Sequence, residues 1–296
     1  MYSKENLFAD ERFRFSAMIR LHVNSRGFIG RLASAILLAI LCFLIGAPPG
    51  TTARAQSATH KTSKTKAATK PVVNDAAVPF RAGETLQYQV GWATFSSAAS
   101  VQLAVPEKRD LSGWGTWHFR ATAHTANTVR SLYPIDDQFD SYTDTVTLES
   151  RQYEMYLNEN GKKQEQSFHL QTQGQAPHGE GPRVVVLPGT RDPLGALYSL
   201  RGVDWQKTPE FRVPVYDGRD LYEIRARLEA ADETVSVAAG KFSASHVSIR
   251  LFRLEKEVSA MNFSAWFAHD AARTPVLMEA ELPFGSLRVE LTSATQ

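Results

Sequence analysis

From Pro79 to residue 296 apolar and polar positions alternate with a period of two, the repeat of an extended strand with one face buried. Leu86, Tyr88, Val90 and Trp92 alternate with Thr85, Gln87 and Gln89, and Val101, Leu103 and Val105 with Ser100 and Gln102. Trp117, Phe119, Ala121 and Ala123 oppose His118, Arg120, Thr122 and His124. Tyr222, Ile224, Ala226 and Leu228 oppose Glu223, Arg225 and Arg227, and Leu287, Val289 and Leu291 oppose Ser286, Arg288 and Glu290. Ser112-Gly113, Asn160-Gly161, Asp217-Gly218 and Ala239-Gly240 separate the runs, and such pairs supply the positive φ of tight hairpins. The spacing predicts about a dozen strands, with sequence neighbours paired antiparallel.

One segment leaves the alternation. Asp192 reads as an N-cap, Pro193 as the first helical residue and Gly202 as a C-terminal stop, which predicts a short helix over 192–202. Leu194, Leu197 and Tyr198 fall on one stripe and are expected to pack on the sheet. Clean one-sided alternation marks antiparallel sheet, and so many strands must curl to hide an apolar face. A barrel, a half-barrel closed by the helix, or two packed sheets satisfy that need. With one helix and no sign of a second domain, the fold class is all-β, a strongly curved sheet, barrel or half-barrel with one short helix. An outer-membrane barrel is disfavoured, because Glu223, Arg225 and Arg227 on one face and Arg250 and Arg253 on both faces spoil a lipid-facing band.

Composition changes this picture mainly at the N-terminal side. Arg20, Arg26 and Arg31 precede an apolar run from Leu32 to Ala47, too short for a spanning helix and followed by Ala53-Arg54-Ala55. That order reads as a signal peptide over 1–55 with cleavage after Ala55, the alternative being an uncleaved anchor. Residues 56–78, rich in Lys, Ala and Thr, read as a flexible linker, leaving 79–296 as a single antiparallel β domain. Removing 1–55 takes away seven Lys/Arg and three Asp/Glu, so the formal charge turns from +2 to −2 and gives no case for nucleic acid. The one cysteine, Cys42, lies inside the apolar run after Leu41, where a lipobox would need a small residue, so disulfides and thiolate metal sites are excluded. The address this implies is the periplasm or outer cell envelope.

Several stretches in order resemble an exported bacterial family, the domain-of-unknown-function 3108 group. Pro79-Phe80-Arg81-Ala82-Gly83-Glu84-Thr85-Leu86-Gln87-Tyr88 is similar to its opening strand, and Asp192-Pro193-Leu194 to Leu200-Arg201 to its helix. Pro214-Val215-Tyr216-Asp217-Gly218 with Leu221-Tyr222 resembles its central hairpin. Trp266-Phe267-Ala268-His269-Asp270, Arg273-Thr274-Pro275-Val276 and Phe284-Gly285-Ser286 resemble its closing strands. The resemblance spans Pro79 to Leu291 and implies an exported, β-rich envelope protein with no catalytic residues to carry over.

No Gly-x-Ser-x-Gly elbow, Walker loop, His-Glu-x-x-His pair or dinucleotide fingerprint occurs, and no cofactor, metal site or catalytic residue is assigned. His118 and His124 share a strand face but stand six residues apart, about 20 Å, too far for one metal. His169, His178, His246 and His269 are scattered. The acidic run Asp136, Asp137, Asp140 and Asp144 lacks the spacing and glycine of a calcium loop, so Asp136 or Asp137 is read as a turn cap and the rest as facing water. Candidate ligand-binding positions are Trp92, Trp117, Tyr198, Asp217, Trp266, Asp270 and Arg273. The aromatics could line an apolar pocket and the charged groups hold a polar head at its mouth, against a simpler reading as core and turn residues. The expected role is non-enzymatic binding of an apolar or amphipathic, lipid-like envelope molecule or docking on an envelope protein. The alternatives are a hydrolase of envelope polymers, which would need His124, His169 or His246 beside a carboxylate and a serine in one cleft, and a tethered scaffold module.

Overall fold

Tight reversals set the topology. Ser112 and Gly113 take φ of 53° and 85°, and Asn160 and Gly161 take 49° and 77°, the paired positive φ of a two-residue hairpin. The computed structural model describes residues 78–174, 183–259, 261–283 and 285–295. The expected signal peptide, Cys42, nearly all of the linker, His178 and Phe284 lie outside them.

The strands are β1 (Thr85–Trp92), β2 (Phe95–Leu111), β3 (Trp114–Thr125), β4 (Asp136–Asp144), β5 (Ser150–Glu159), β6 (Lys162–Thr172), β7 (Arg183–Val186), β8 (Glu210–Tyr216), β9 (Leu221–Val237), β10 (Gly240–Arg253), β11 (Lys256–Glu257), β12 (Asn262–Ala268), β13 (Pro275–Leu282) and β14 (Gly285–Thr295). They form one sheet in the order β7-β6-β5-β4-β3-β2-β1-β14-β13-β12-β10-β9-β8, with β11 paired to β10. Every pairing of strands is antiparallel except β6 with β7. All four turn pairs read from the sequence lie at hairpin reversals, with Gly240 the first residue of β10. Leu86, Tyr88, Val90, Trp117, Phe119, Ala121, Ile224, Val289 and Leu291 all enter one buried core, as the alternation requires.

The sheet curls into a nearly closed barrel. The sheet order ends at β7 and β8, and two residues of irregular chain, Thr190 and Arg191, join the start of β5 to β8. Ser150 N–H donates to the Thr190 carbonyl at 3.1 Å, Arg191 N–H to the Pro214 carbonyl at 2.9 Å, and Tyr216 N–H to the Arg191 carbonyl at 2.8 Å. One backbone donor of each flanking strand, Ser150 and Tyr216, is thereby answered across the seam. The buried Arg191 side chain reinforces it, donating to Ser199 Oγ at 3.1 Å and to the Gly189 and Thr147 carbonyls. The Phe168 and Tyr216 rings meet edge to face across it at 5.7 Å.

Helix α1 (Asn127–Leu132) lies in the β3–β4 connection, where the sequence signals no helix, and α2 (Pro193–Gly202) is the expected one. Helix α2 differs from the expected stripe in that every residue from Pro193 to Arg201 is buried. Tyr198 stacks on Phe119 at 3.8 Å and 3°, and Phe80 packs its edge against both rings. Such a helix must satisfy its own polar ends internally. Asp192 Oδ1 accepts the Gly195 N–H at 2.9 Å, while Ser141 and Ser150 hydroxyls donate to Oδ2 at 2.5 Å each. An added Cβ at Gly195 would lie 2.9 Å from Ser150 Oγ and from Thr143 Cγ2, so this turn of the helix approaches the sheet as closely as only glycine allows. At the other end Arg201 grips Glu84 with two bonds of 2.5 and 2.7 Å and donates to the Ala272 carbonyl at 2.7 Å.

Removing one partner of a buried pair strands the other charge, at a cost of about 3–5 kcal/mol. Arg201→Met should therefore lower the free energy of unfolding by about that amount, measured by urea denaturation. The double variant Glu84→Leu/Arg201→Met should recover most of the loss. Equal losses in the single and double variants would show that the pair does not anchor the helix.

Candidate functional site

The candidate aromatic residues divide between the core and its margins. Trp117, on β3, is buried, meets the Phe80 edge at 5.2 Å and carries Lys108 Nζ 4.2 Å above its ring. Tyr198, on α2, touches the same Phe80, so these two candidates share one interior cluster. Burial raises the Tyr198 hydroxyl well above its ordinary value. Trp266, on β12, is buried and stacks on His246 at 4.2 Å and 11°. Trp92, half-buried at the end of β1, stands beside Gly285, where an added Cβ would approach Trp92 Nε1 to 3.1 Å.

The charged candidates hold turns. Asp217 Oδ1 accepts the N–H groups of Arg219 at 2.6 Å and Asp220 at 2.5 Å in the β8–β9 hairpin. Asp270 accepts Thr274 N–H at 2.9 Å and its hydroxyl at 2.7 Å. Arg273 turns away from Asp270 and donates to the Gly202 carbonyl at 2.7 Å, joining the β12–β13 turn to the end of α2. The seven therefore fall into separate places, with Trp117 and Tyr198 together, Asp270 and Arg273 in one turn at the helix terminus, and Trp92, Trp266 and Asp217 elsewhere.

The acidic run on β4 departs from its reading as turn cap and solvated face, because strand alternation sends its members to opposite faces. Asp136 pairs with Arg130 at 2.9 Å and His124 at 2.8 Å. Asp137 points the other way, is buried and accepts Asn158 N–H at 2.8 Å. Asp144 is the turn cap, accepting Val146 and Thr147 N–H at 3.0 Å each. Among the described residues no group of three His, Cys, Asp or Glu is placed to hold a metal.

Asp140 is the unexpected member. It stands on the wall facing away from the core, yet is only 1% exposed. His118 Nε2 lies 2.5 Å and Arg120 Nε 2.7 Å from its Oδ1, and Gln138 Nε2 donates to Oδ2 at 2.6 Å. The register supplies these neighbours, pairing His118 with Tyr142, Arg120 with Asp140 and Thr122 with Gln138. Burial raises this carboxyl, but the three hydrogen bonds outweigh it and hold its pKa below the ordinary value. The His118 ring stacks on Tyr142 at 4.6 Å, and the Arg109 guanidinium covers Tyr142 at 5.3 Å. Next to them, Gln152 donates to Glu154 at 2.5 Å and the Tyr156 hydroxyl donates to Glu154 at 2.9 Å. The outer wall of β3–β5 is thus a plate of interlocked polar and aromatic side chains around one buried carboxylate. A strand of alternating residues reveals its outward members but not which of them a neighbouring strand will bury, so this plate was not visible in the sequence.

The histidines lie in separate parts of the sheet. His124 meets Asp136, and His246 meets Glu233 at 3.3 Å, neither with a serine. His169 is buried on β6. His269, after β12, lies between the hydroxyls of Ser243 and Ser245.

One antiparallel sheet curled to near closure and filled by a helix defines the class, a β-barrel-like protein. The chain belongs to the DUF3108 family, described as a protein of unknown function, whose sequence model matches residues 87–292. Among solved structures it is similar to a β-barrel-like protein of domain of unknown function DUF1849 from Brucella abortus. The identity is 12%, over 71% of this chain and 96% of that one, with a TM-score of 0.48. It is also similar to a hypothetical protein of Chlamydia trachomatis, with 8% identity over 73% of this chain and 88% of that one and a TM-score of 0.30. No match was found among curated proteins.

Burial pushes the Asp217 carboxyl up to about 6. The ordinary value is about 3.9, so between about pH 4 and 6 the folded chain keeps a proton that the unfolded chain releases. Stability therefore falls as pH rises through that window. Asp217→Asn keeps the acceptor for Arg219 and Asp220 and removes the ionisation, so the fall in urea midpoint between pH 4 and 6 should become shallower. Asp137, also pushed to about 6 by burial, retains the remainder. An unchanged slope in the variant would place the proton elsewhere.

Proposed function

We propose that this chain is an exported envelope protein that works by holding an envelope protein partner against the outer wall of β3–β5. Export rests on the sequence pattern of residues 32–55, in which an apolar run is followed by a small-residue cleavage site. The observation that carries the binding reading is Asp140, a carboxylate buried on the face turned away from the core, with three donors aimed at it. Closing the barrel does not require a charge there. Its effect is to fix the side chains of His118, Arg120 and Gln138, and rigid side chains lose little entropy when a partner docks.

The accessible part of the plate has the composition of an interface centre. Trp114 at one end of the wall and Tyr156 toward the other are each 37% exposed, and the Arg109 and Arg120 side chains also reach solvent on it. Tryptophan, tyrosine and arginine are the residues that dominate binding energy at protein interfaces. The interior supports an enclosed lipid-like ligand less well, since α2 and the Phe80, Phe119 and Tyr198 rings occupy the core at this level.

The test is cross-linking of the mature protein to its own cell envelope, with recovered partners identified by mass spectrometry. Tyr156→Ala and Arg120→Ala should each reduce recovery of a specific partner about tenfold or more, as loss of an interface anchor does. Identical recovery with the wild-type protein and both variants would overturn the assignment to this wall. Native mass spectrometry of the same preparation separates the second reading, because a stoichiometric co-purified lipid would favour an amphipathic ligand instead.

A further inference from the structure

At one rim of the barrel, β9, β10 and the turn after β12 bring together four polar side chains that the wall of β3–β5 does not involve. Ser243 and Ser245 lie two residues apart on β10 and so on one face, and Ala244 pairs with both Glu233 and Ala268. That register sets His269, the residue after β12, opposite Ser243, with its backbone N–H donating to the Ser243 carbonyl at 2.9 Å. A register shift between Ala244 and His246 marks a bulge in the β9–β10 pairing, next to Asp232. His269 Nδ1 lies 2.9 Å from Ser243 Oγ, and Nε2 lies 3.1 Å from Ser245 Oγ. Ser243 Oγ donates to Asp232 Oδ1.

The proton positions follow from what each group can do. A carboxylate only accepts, so Ser243 spends its one proton on Asp232 and must accept from His269 Nδ1–H. A neutral imidazole protonated at Nδ1 has a bare Nε2, which faces Ser245. Ser245 Oγ also lies 3.2 Å from the Ala231 carbonyl, so its proton is shared between that oxygen and Nε2. The chain Asp232–Ser243–His269–Ser245 thus gives the histidine the tautomer and orientation of a general base by way of an intervening hydroxyl, with the Asp232 carboxylate itself 4.0 Å from Nδ1.

We infer that Ser245 is a nucleophile for short acyl esters, with His269 as its general base and Ser243 and Asp232 as positioning residues. Ser245 is 4% exposed, so the proposal is confined to compact acyl groups such as acetyl. In the first step Ser245 Oγ bonds to the ester carbonyl carbon and its proton passes to His269 Nε2. The ester C–O bond then breaks and Nε2 returns the proton to the leaving alkoxide. In the second step water attacks the acyl-serine by the reverse path and the acid is released, with no oxidant, reductant or metal required.

The experiment uses p-nitrophenyl acetate as the probe and the mature protein as the catalyst. A burst of up to one p-nitrophenolate per chain is expected, with the acetyl group mapped to Ser245 by peptide mass spectrometry. His269→Asn should slow the burst about 100-fold or more, the usual worth of a general base. Ser243→Ala should slow it as well, while Ser243→Thr, which keeps the hydroxyl, restores it; a role in folding alone would not discriminate between these two replacements. Acetylation found only at lysines, or a burst unchanged in Ser245→Ala, overturns the assignment. The wild-type peptide map decides the matter even if Ser245→Ala does not fold. Because the readout is independent of partner cross-linking, its failure leaves the binding wall untouched.

Discussion

The structure depends on a helix buried on every side. A sheet of this many strands, curled so that its apolar face turns inward, encloses more space than its own side chains fill, and α2 occupies the remainder. The price is that two polar helix ends enter the core. Asp192 answers the first amide groups and is itself answered by Ser141 and Ser150, on β4 and β5. Arg201 is neutralised by Glu84 just before β1, and the Gly202 carbonyl accepts from Arg273 in the β12–β13 turn. Each anchor belongs to a different part of the sheet. The helix therefore ties together strands far apart in the sheet order, and the residues just before it, Thr190 and Arg191, complete the seam.

How far this was legible in the sequence follows from the range of the forces involved. Hairpins were readable because the positive φ of Asn160-Gly161 is a local requirement of two residues. The start of α2 was readable for the same reason, since Asp192 caps the amide three residues on. Its burial was not. Ser199 and Arg201 read as solvated polar positions until Arg191 and Glu84 are known to lie against them, and Glu84 is 117 residues away in the chain.

The candidate site was legible only in pieces. Inward alternation correctly placed Trp117 beside the core, and Asp217 was a turn residue by its neighbours alone. By contrast the outer plate depends on the register of β3 against β4 and β5, and the rim cluster on a bulge between β9 and β10. Register and bulges are set by the whole sheet, so a single strand's pattern does not contain them.

The two outward-facing clusters differ in how their carboxylates act. Asp140 is buried, and charge-assisted hydrogen bonds in a poorly hydrated place are strong, so the side chains around it are held in one arrangement. Asp232 has a side chain 71% exposed, and solvent screens its pull on Ser243 and His269. The first environment suits recognition of a fixed shape, where rigidity lowers the cost of docking. The second suits proton movement, since a weakly held hydroxyl and imidazole can exchange a proton and return without breaking a strong buried pair. In the two roles proposed, the buried carboxylate fixes one outward cluster, and the exposed one leaves the other able to exchange a proton.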